Sequence, residues 1–252
     1  MIDDILDFLG ARILGQAKYR RSRYKHAKRI ARRHGFEVYK PHLIWLQDAD
    51  YQRAKSETER RKIVGIPNDR CYMLLDLARS SRNVAGDIAE CGVRHGKSSL
   101  FILSGFGTES TKKFEVFDSF EGLSAPVDSD KGAADFSVWQ AGELAVQEET
   151  VLNNLRDYGD RIRLHKGWIP DRFDDVKNRK FAFLHVDVDL YEPTRDSLSF
   201  FYPRMSKGGV MVCDDYGSAY CPGAKKAVDE FFVQKPERII ALPTGQSVII
   251  KE

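Results

Sequence analysis

The sequence predicts an α/β fold in which a mostly parallel sheet ends in an antiparallel hairpin, with a helical arm ahead of it. Three observations carry this expectation. Five short apolar segments recur between residues 87 and 213, and most are followed by a stretch of helical period, as crossover units require. Two more strand-like segments are joined by Pro243-Thr244-Gly245 alone, a link too short for anything but a hairpin. Near the start, Ile5, Leu6, Leu9, Ile13, Leu14 and Ala17 recur at i, i+3 and i+4 spacings.

The 252 residues suit one large domain, or one domain with an arm, and can bury a substantial core. We expect a basic helical arm and cover over residues 1–67 and the sheet-bearing domain over residues 68–252. Residues 12–34 hold ten Lys or Arg and no acid, so removing them turns the net charge of +3 into −7. Such an arm suits peripheral contact with a membrane surface or an acidic partner, or is a solvated helix with charged faces. No recognised nucleic-acid module surrounds it, so no nucleic-acid partner is expected. Acid at Asp3 and Asp4 argues against a secretory leader, and no run reaches the ~20 apolar residues of a membrane span. Cys71, Cys91, Cys213 and Cys221 lack paired zinc spacing and suit free thiols, so a cytoplasmic protein is expected.

In chain order, Asn68 is placed as a helix cap before Cys71–Arg79, where Met73, Leu74, Leu77 and Ala78 keep helical period. The expected strands are Asp87–Cys91, Phe114–Asp118, Arg161–Lys166, Phe181–Asp187 and Gly209–Cys213, then the hairpin Arg238–Leu242 and Gln246–Lys251. In open α/β sheets ligands bind beyond the carboxyl ends of the strands. The residues that follow each strand are therefore the candidates.

After the first strand comes Glu90-Cys91-Gly92-Val93-Arg94-His95-Gly96-Lys97-Ser98-Ser99. Gly92 and Gly96 permit a sharp turn and close backbone approach, and the next helix aims its first amides at the same space. The spacing is neither the dinucleotide fingerprint nor a phosphate loop. A structural turn explains it equally well. The second strand ends in Asp118-Ser119-Phe120, an acid placed to accept both hydroxyl protons of a ribose diol. Phe120 either stacks on a purine or fills the core. The third strand leads to Gly167-Trp168-Ile169-Pro170, with Trp168 over the cleft or packed inside.

The strongest signal lies after the fourth and fifth strands. Asp187 and Asp189 end one, and Asp214 and Asp215 end the other. Acids after buried strands are costly unless paired, solvated or metal-bound. If the strands are neighbours, Asp187, Asp214 and Asp215 converge and can supply three oxygens to an octahedral Mg²⁺ site; caps to loop amides are the plainer reading. Asp189 shares a side with Asp187 and can face the substrate without ligating. His185 is read as a core histidine.

Taken together these residues resemble the macrocin O-methyltransferase family (the TylF/MycF type) of class I S-adenosylmethionine-dependent methyltransferases, which have a Rossmann-like sheet. The resemblance rests on G-D-I-A-E-C-G-V at 86–93, F-D-S-F-E-G-L at 117–123 and G-W-I-P at 167–170. It continues through H-V-D-V-D-L-Y-E-P-T at 185–194, D-D-Y-G at 214–217 and C-P-G-A-K-K-A-V-D-E at 221–230. It runs from about Asn68 to the C-terminus and leaves out residues 1–40.

The resemblance implies S-adenosylmethionine held by Glu90, Cys91, Gly92, Gly96, Ser98, Ser99, Asp118, Ser119, Phe120, Gly167, Trp168 and Asp187. It implies Mg²⁺ on Asp187, Asp214 and Asp215, with Asp189 as catalytic base, and methylation of a sugar hydroxyl on a glycosylated natural product, glycolipid or surface glycan. A homo-oligomer, dimer or larger, is also expected. Ser124 stands where relatives commonly have proline. Catechol-type relatives place a lysine soon after their metal aspartate, whereas none occurs here between Asp187 and Lys207, which favours a carboxylate base and a sugar acceptor. The alternatives are a phenolic acceptor, a metal-dependent hydrolase, which leaves Glu90 and Asp118 without roles, and a scaffold that works through its basic arm.

Overall fold

The computed structural model describes residues 16–33, 44–131 and 139–252. The expected helical spacing from Ile5 to Leu14 lies outside them. The chain divides into two compact units, Met1–Asp48 and Ala49–Glu252. In the first, helix α1 spans Gln16–Arg33, with no acid in its first turn and Arg32 and Arg33 in its last. Those two cations complement the negative end of the helix dipole. No described helix is long and apolar enough to cross a membrane.

The sheet-bearing unit begins at Ala49 and so takes in a helix ahead of Asn68, where the expected domain starts. Helix α2 (Ala49–Arg60) buries Tyr51, Ala54 and Thr58, and the Tyr51 ring lies 5.5 Å from Phe101 in the core. Helix α3 spans Asn68–Ser80. The expected cap at Asn68 is corrected: Pro67 holds the cap position with an extended backbone (φ −58, ψ 155), and no side chain caps the helix. A proline with fixed φ ends the preceding loop there without needing a side-chain acceptor.

From there strands and helices alternate: β1 (Asp87–Cys91), α4 (Lys97–Phe106), β2 (Phe114–Asp118), α5 (Glu148–Leu155), β3 (Ile162–Lys166), β4 (Phe181–Val186), α6 (Tyr191–Phe201), β5 (Met205–Cys213), α7 (Pro222–Phe232), β6 (Ile240–Ala241) and β7 (Ser247–Ile250). The seven strands run in the order β3-β2-β1-β4-β5-β7-β6. The first five pair in parallel, and β7 runs antiparallel to both β5 and β6. The hairpin is therefore present, with β6 trimmed to two residues.

β5 starts at Met205 rather than at the expected Gly209. Met205 already pairs with Phe181, and the register slips between Phe181 and Phe183. An irregularity in the ladder lets a strand pass through Gly208 and Gly209, which a pattern reading takes as a turn. β4 ends at Val186, and Asp187 continues only through its N–H, which donates to the Cys91 carbonyl at 2.9 Å.

Alternation across the sheet sorts the core into two layers. Ile88, Phe183, Val210, Val212 and Val248 face Leu74, Ala78, Leu100 and Leu103 of α3 and α4. Ala89, Cys91, Leu184, Val186, Met211 and Cys213 face Leu198, Phe201, Val228 and Phe232 of α6 and α7. The chain reverses direction of travel between β1 and β4, which are neighbours. A crevice opens at that switch point, beyond the strand ends.

A charged pair stabilises the far side. Glu237 is 4% exposed and accepts hydrogen bonds from Lys251 Nζ and from Tyr202 Oη at 2.8 Å. Burial alone would raise its pKa, but the Lys251 and Tyr202 hydrogen bonds win and hold it at about 2, below the ordinary 4.5. A depressed carboxylate contributes stability in full above its unfolded value and loses it as pH falls toward the folded one. Glu237→Gln should therefore be destabilised at pH 7 by about 2 kcal/mol. Thermal or urea unfolding should show that difference from wild type shrinking between pH 5 and pH 2.

Candidate active site

The crevice is a cavity of about 630 Å³ whose wall includes Arg70, Gly92, Ser98, Asp118, Ser119, Trp168, Asp187, Asp189, Asp214 and Asp215. The turn after β1 forms its floor. Gly92 has φ +83, and an added Cβ would stand 1.9 Å from the Asp187 carbonyl oxygen. Only glycine lets the ends of β1 and β4 approach so closely. Asp118 braces this turn: Oδ2 accepts from the Val93 N–H at 2.8 Å and Oδ1 from the Phe120 N–H at 2.7 Å. Burial raises the Asp118 pKa, and these amide bonds offset part of the rise. Asp118 also lines the cavity, and a carboxylate has more acceptor capacity than these two bonds use.

Several expected residues lie behind the wall rather than on it. Cys91 points to the opposite face of the sheet, into the α6–α7 layer. Phe120, at φ +59, is folded into the α3–α4 layer and is 7% exposed, so it does not stack in the cleft. Gly96 backs onto Leu155, and Gly167 onto Arg172. Glu90 and Ser99 are fully buried and bonded to each other through Ser99 Oγ and Glu90 Oε2. Trp168, by contrast, does face the cleft and is 38% exposed.

The acids after β4 and β5 converge. One carboxylate oxygen from each of Asp187, Asp214 and Asp215 lies within 4.8 Å of the others. At an effective dielectric near 20, each such pair repels by about 3.5 kcal/mol. Asp214 is the best compensated: Oδ2 accepts from Arg70 at 2.5 Å and Oδ1 from Gln246 Nε2 at 2.7 Å. His185 Nε2 stands 3.3 Å from the same Oδ1, and His185 Nδ1 stands 2.9 Å from Glu90 Oε1. Burial opposes charge on this imidazole, but its bonds to Asp214 and Glu90 outweigh burial and push its pKa up to about 10. Burial likewise raises Asp214, yet His185, Arg70 and Gln246 together bring it below the usual carboxylate range.

Asp187 and Asp215 are not so served. Burial, and then the charges of the neighbouring aspartates, push both well above the ordinary value. Among the described residues none donates a hydrogen bond to the Asp187 carboxylate. Among the described residues Asp215 Oδ2 accepts only the Asp189 N–H, at 3.2 Å, while Arg70 stays 4.0 Å from Oδ1. An all-oxygen set of three carboxylates, two of them poorly compensated, fits a hard divalent cation. Asp189 sits beside them at φ +59 and accepts from Cys221 Sγ at 3.3 Å. Burial raises its pKa too.

Residues 70–241 match the family model described as Macrocin-O-methyltransferase (TylF). The chain belongs to the macrocin-O-methyltransferase family. Among relatives of this family, an 8-demethyl-8-(2,3-dimethoxy-alpha-L-rhamnosyl)-tetracenomycin-C 4'-O-methyltransferase of Streptomyces olivaceus is 37% identical over 150 residues, 56% of this chain and 57% of its own. The mycinamicin III 3''-O-methyltransferase of Micromonospora griseorubida is 33% identical over 158 residues, 59% of this chain and 61% of its own. The chain thus spans about three fifths of the length of the curated relatives it matches. The solved O-methyltransferase NovP is 30% identical, with a TM-score of 0.58, over 72% of this chain and 79% of that one. The calicheamicin methyltransferase CalS11, at 20% identity and a TM-score of 0.62, covers 86% of this chain and shares the fold.

Sequence reasoning missed Arg70, Gln246 and Cys221, and set His185 aside. Only for His185 was a signal present. Strand pairing places it opposite Glu90 on one side and Val212 on the other, so a buried histidine between two acid-bearing strands had to meet one of them.

Proposed function

We propose that this protein moves a methyl group from S-adenosylmethionine to a sugar hydroxyl with the help of a divalent cation, Mg²⁺ by choice of ligands. The observation that carries the reading is the gathering of Asp187, Asp214 and Asp215, with Asp189 alongside, in the crevice at the β1–β4 switch point. Family membership supports the donor, and one named relative is an O-methyltransferase of a rhamnosyl-bearing tetracenomycin.

When bound, the donor supplies a methyl on a sulfonium, and the cation supplies positive charge that lowers the pKa of the acceptor hydroxyl. The chain's own residues do the rest. Asp187 and Asp215 offer the least compensated oxygens to the cation, with Asp214 held rigid by Arg70, Gln246 and His185. Asp118 turns its free lone pairs to the donor's ribose hydroxyls, and Ser98, Ser119 and Trp168 close the space around it. Asp189 accepts the hydroxyl proton as the oxygen takes the methyl. Glu90 acts from behind the wall, fixing Ser99 and His185.

The test is formation of S-adenosylhomocysteine from S-adenosylmethionine against deoxysugar and glycolipid acceptors, with Mg²⁺ and with EDTA. We expect turnover that EDTA removes and Mg²⁺ restores. Failure to bind S-adenosylhomocysteine by calorimetry, or turnover indifferent to EDTA, would overturn the donor or the cation respectively.

A further inference from the structure

We propose that Asp130 is a positioning residue for this reaction, a latch whose carboxylate ties the loop 123–131 to the turn that carries Asp189. The inference rests on the reading of Asp189 as the base.

Helix α6 opens at Tyr191 with Leu190 in the cap position, an apolar side chain that cannot accept from the free amides of the first turn. Asp130 supplies the acceptor from far along the chain. Its Oδ1 accepts from the Tyr191 N–H at 2.7 Å, and its Oδ2 accepts from the Val127 N–H at 2.9 Å. One oxygen closes the loop on itself and the other caps the helix. Asp130 is 5% exposed, and a buried acid persists only where its charge is met.

The seat is shaped for it. Gly223, near the start of α7, leaves room that any side chain would fill: an added Cβ would lie 1.8 Å from Asp130 Oδ1. From the same helix, Lys226 donates to Ser129 Oγ at 3.0 Å and lies 5.4 Å from the centre of the Tyr191 ring.

The consequence falls on Asp189, two residues before Tyr191. The segment from Asp187 to Tyr191 is fixed at one end by the Asp187 N–H on the Cys91 carbonyl and in the middle by the Asp189 N–H on Asp215. Asp130 fixes the other end, and Asp189 holds φ +59 between these ties. At the start of the same loop, Leu123 and Ser124 line the cleft. Seating of the loop and aim of the base are thereby one event. Displacing a reacting group by 1 Å costs roughly 100-fold in rate.

The experiment compares Asp130→Ala with Asp130→Asn, which keeps one carbonyl oxygen for Tyr191. Three quantities are read: kcat with a sugar acceptor, the affinity and stoichiometry of S-adenosylhomocysteine, and hydrogen exchange at the Tyr191 amide. We expect kcat to fall about 10- to 100-fold in Asp130→Ala, with one full-affinity donor-product site per chain retained, faster Tyr191 exchange, and partial recovery of both in Asp130→Asn. A folded Asp130→Ala with wild-type kcat and a protected Tyr191 amide overturns the proposal. So does a kcat that falls only in proportion to lost binding sites. If Asp130→Ala does not fold, Asp130→Asn decides by the same readings. If the wild type methylates no sugar, the reaction reading falls by itself, and a Tyr191 amide that stays protected in the variants overturns the latch separately.

Discussion

Replacing Asp189 by asparagine is expected to cut methyl transfer by about 100-fold or more, the scale of a lost general base. Binding of S-adenosylhomocysteine should survive. Asparagine keeps the size of the side chain and its oxygen can still accept from Cys221 Sγ, which lies 3.3 Å away in the native protein. Asparagine also tolerates the left-handed backbone that Asp189 adopts at φ +59. What it loses is the ability to take up a proton. Single-turnover rates with a sugar acceptor, set beside calorimetric affinity for the donor product, separate the two effects. Near-normal turnover would remove Asp189 as the base and leave proton removal to water.

Asp187→Ala should have the other large effect, loss of cation dependence together with activity. The Asp187 carboxylate has no hydrogen-bond donor among the described residues, and burial with the neighbouring aspartates drives its pKa well up. On the proposed reading its removal takes an oxygen from the cation set, and it also relieves the repulsion that charge on Asp187 meets from its neighbours. These consequences have opposite signs in different solutions. In EDTA the variant should melt at the wild-type temperature or above it. In Mg²⁺ the wild type should gain stability and the variant should not, because a ligand stabilises only the state that binds it. Turnover in Mg²⁺ should drop by about 100-fold or more, in line with the several kcal/mol a Lewis-acid cation contributes. A variant that keeps its Mg²⁺-induced rise in Tm would place the cation elsewhere.

Much of this was legible in the amino-acid order, for identifiable reasons. β1 and β2 were bounded to the residue, because each apolar run stops abruptly at a polar residue or glycine. The converging acids were legible because strand ends in a parallel sheet all point one way. β5 was cut short because glycines inside an irregular strand read the same as glycines in a turn. Phe120 and Trp168 follow strands in similar fashion, yet one is core and the other is cleft. The backbone angle that turns Phe120 inward has no signature in residue type. Arg70 was invisible for a plainer reason: its partner Asp214 is 144 positions away, and no local pattern encodes a contact of that span.

The hold on Asp214 also sets an order of assembly. Its two oxygens are gripped by Arg70, ahead of the first strand, and by Gln246, beside the final hairpin. A chain folded only through β5 carries every acid of the cluster but lacks one of the groups that bind Asp214. The full set of contacts on this acid is complete only once β7 has paired with β5 and brought Gln246 alongside.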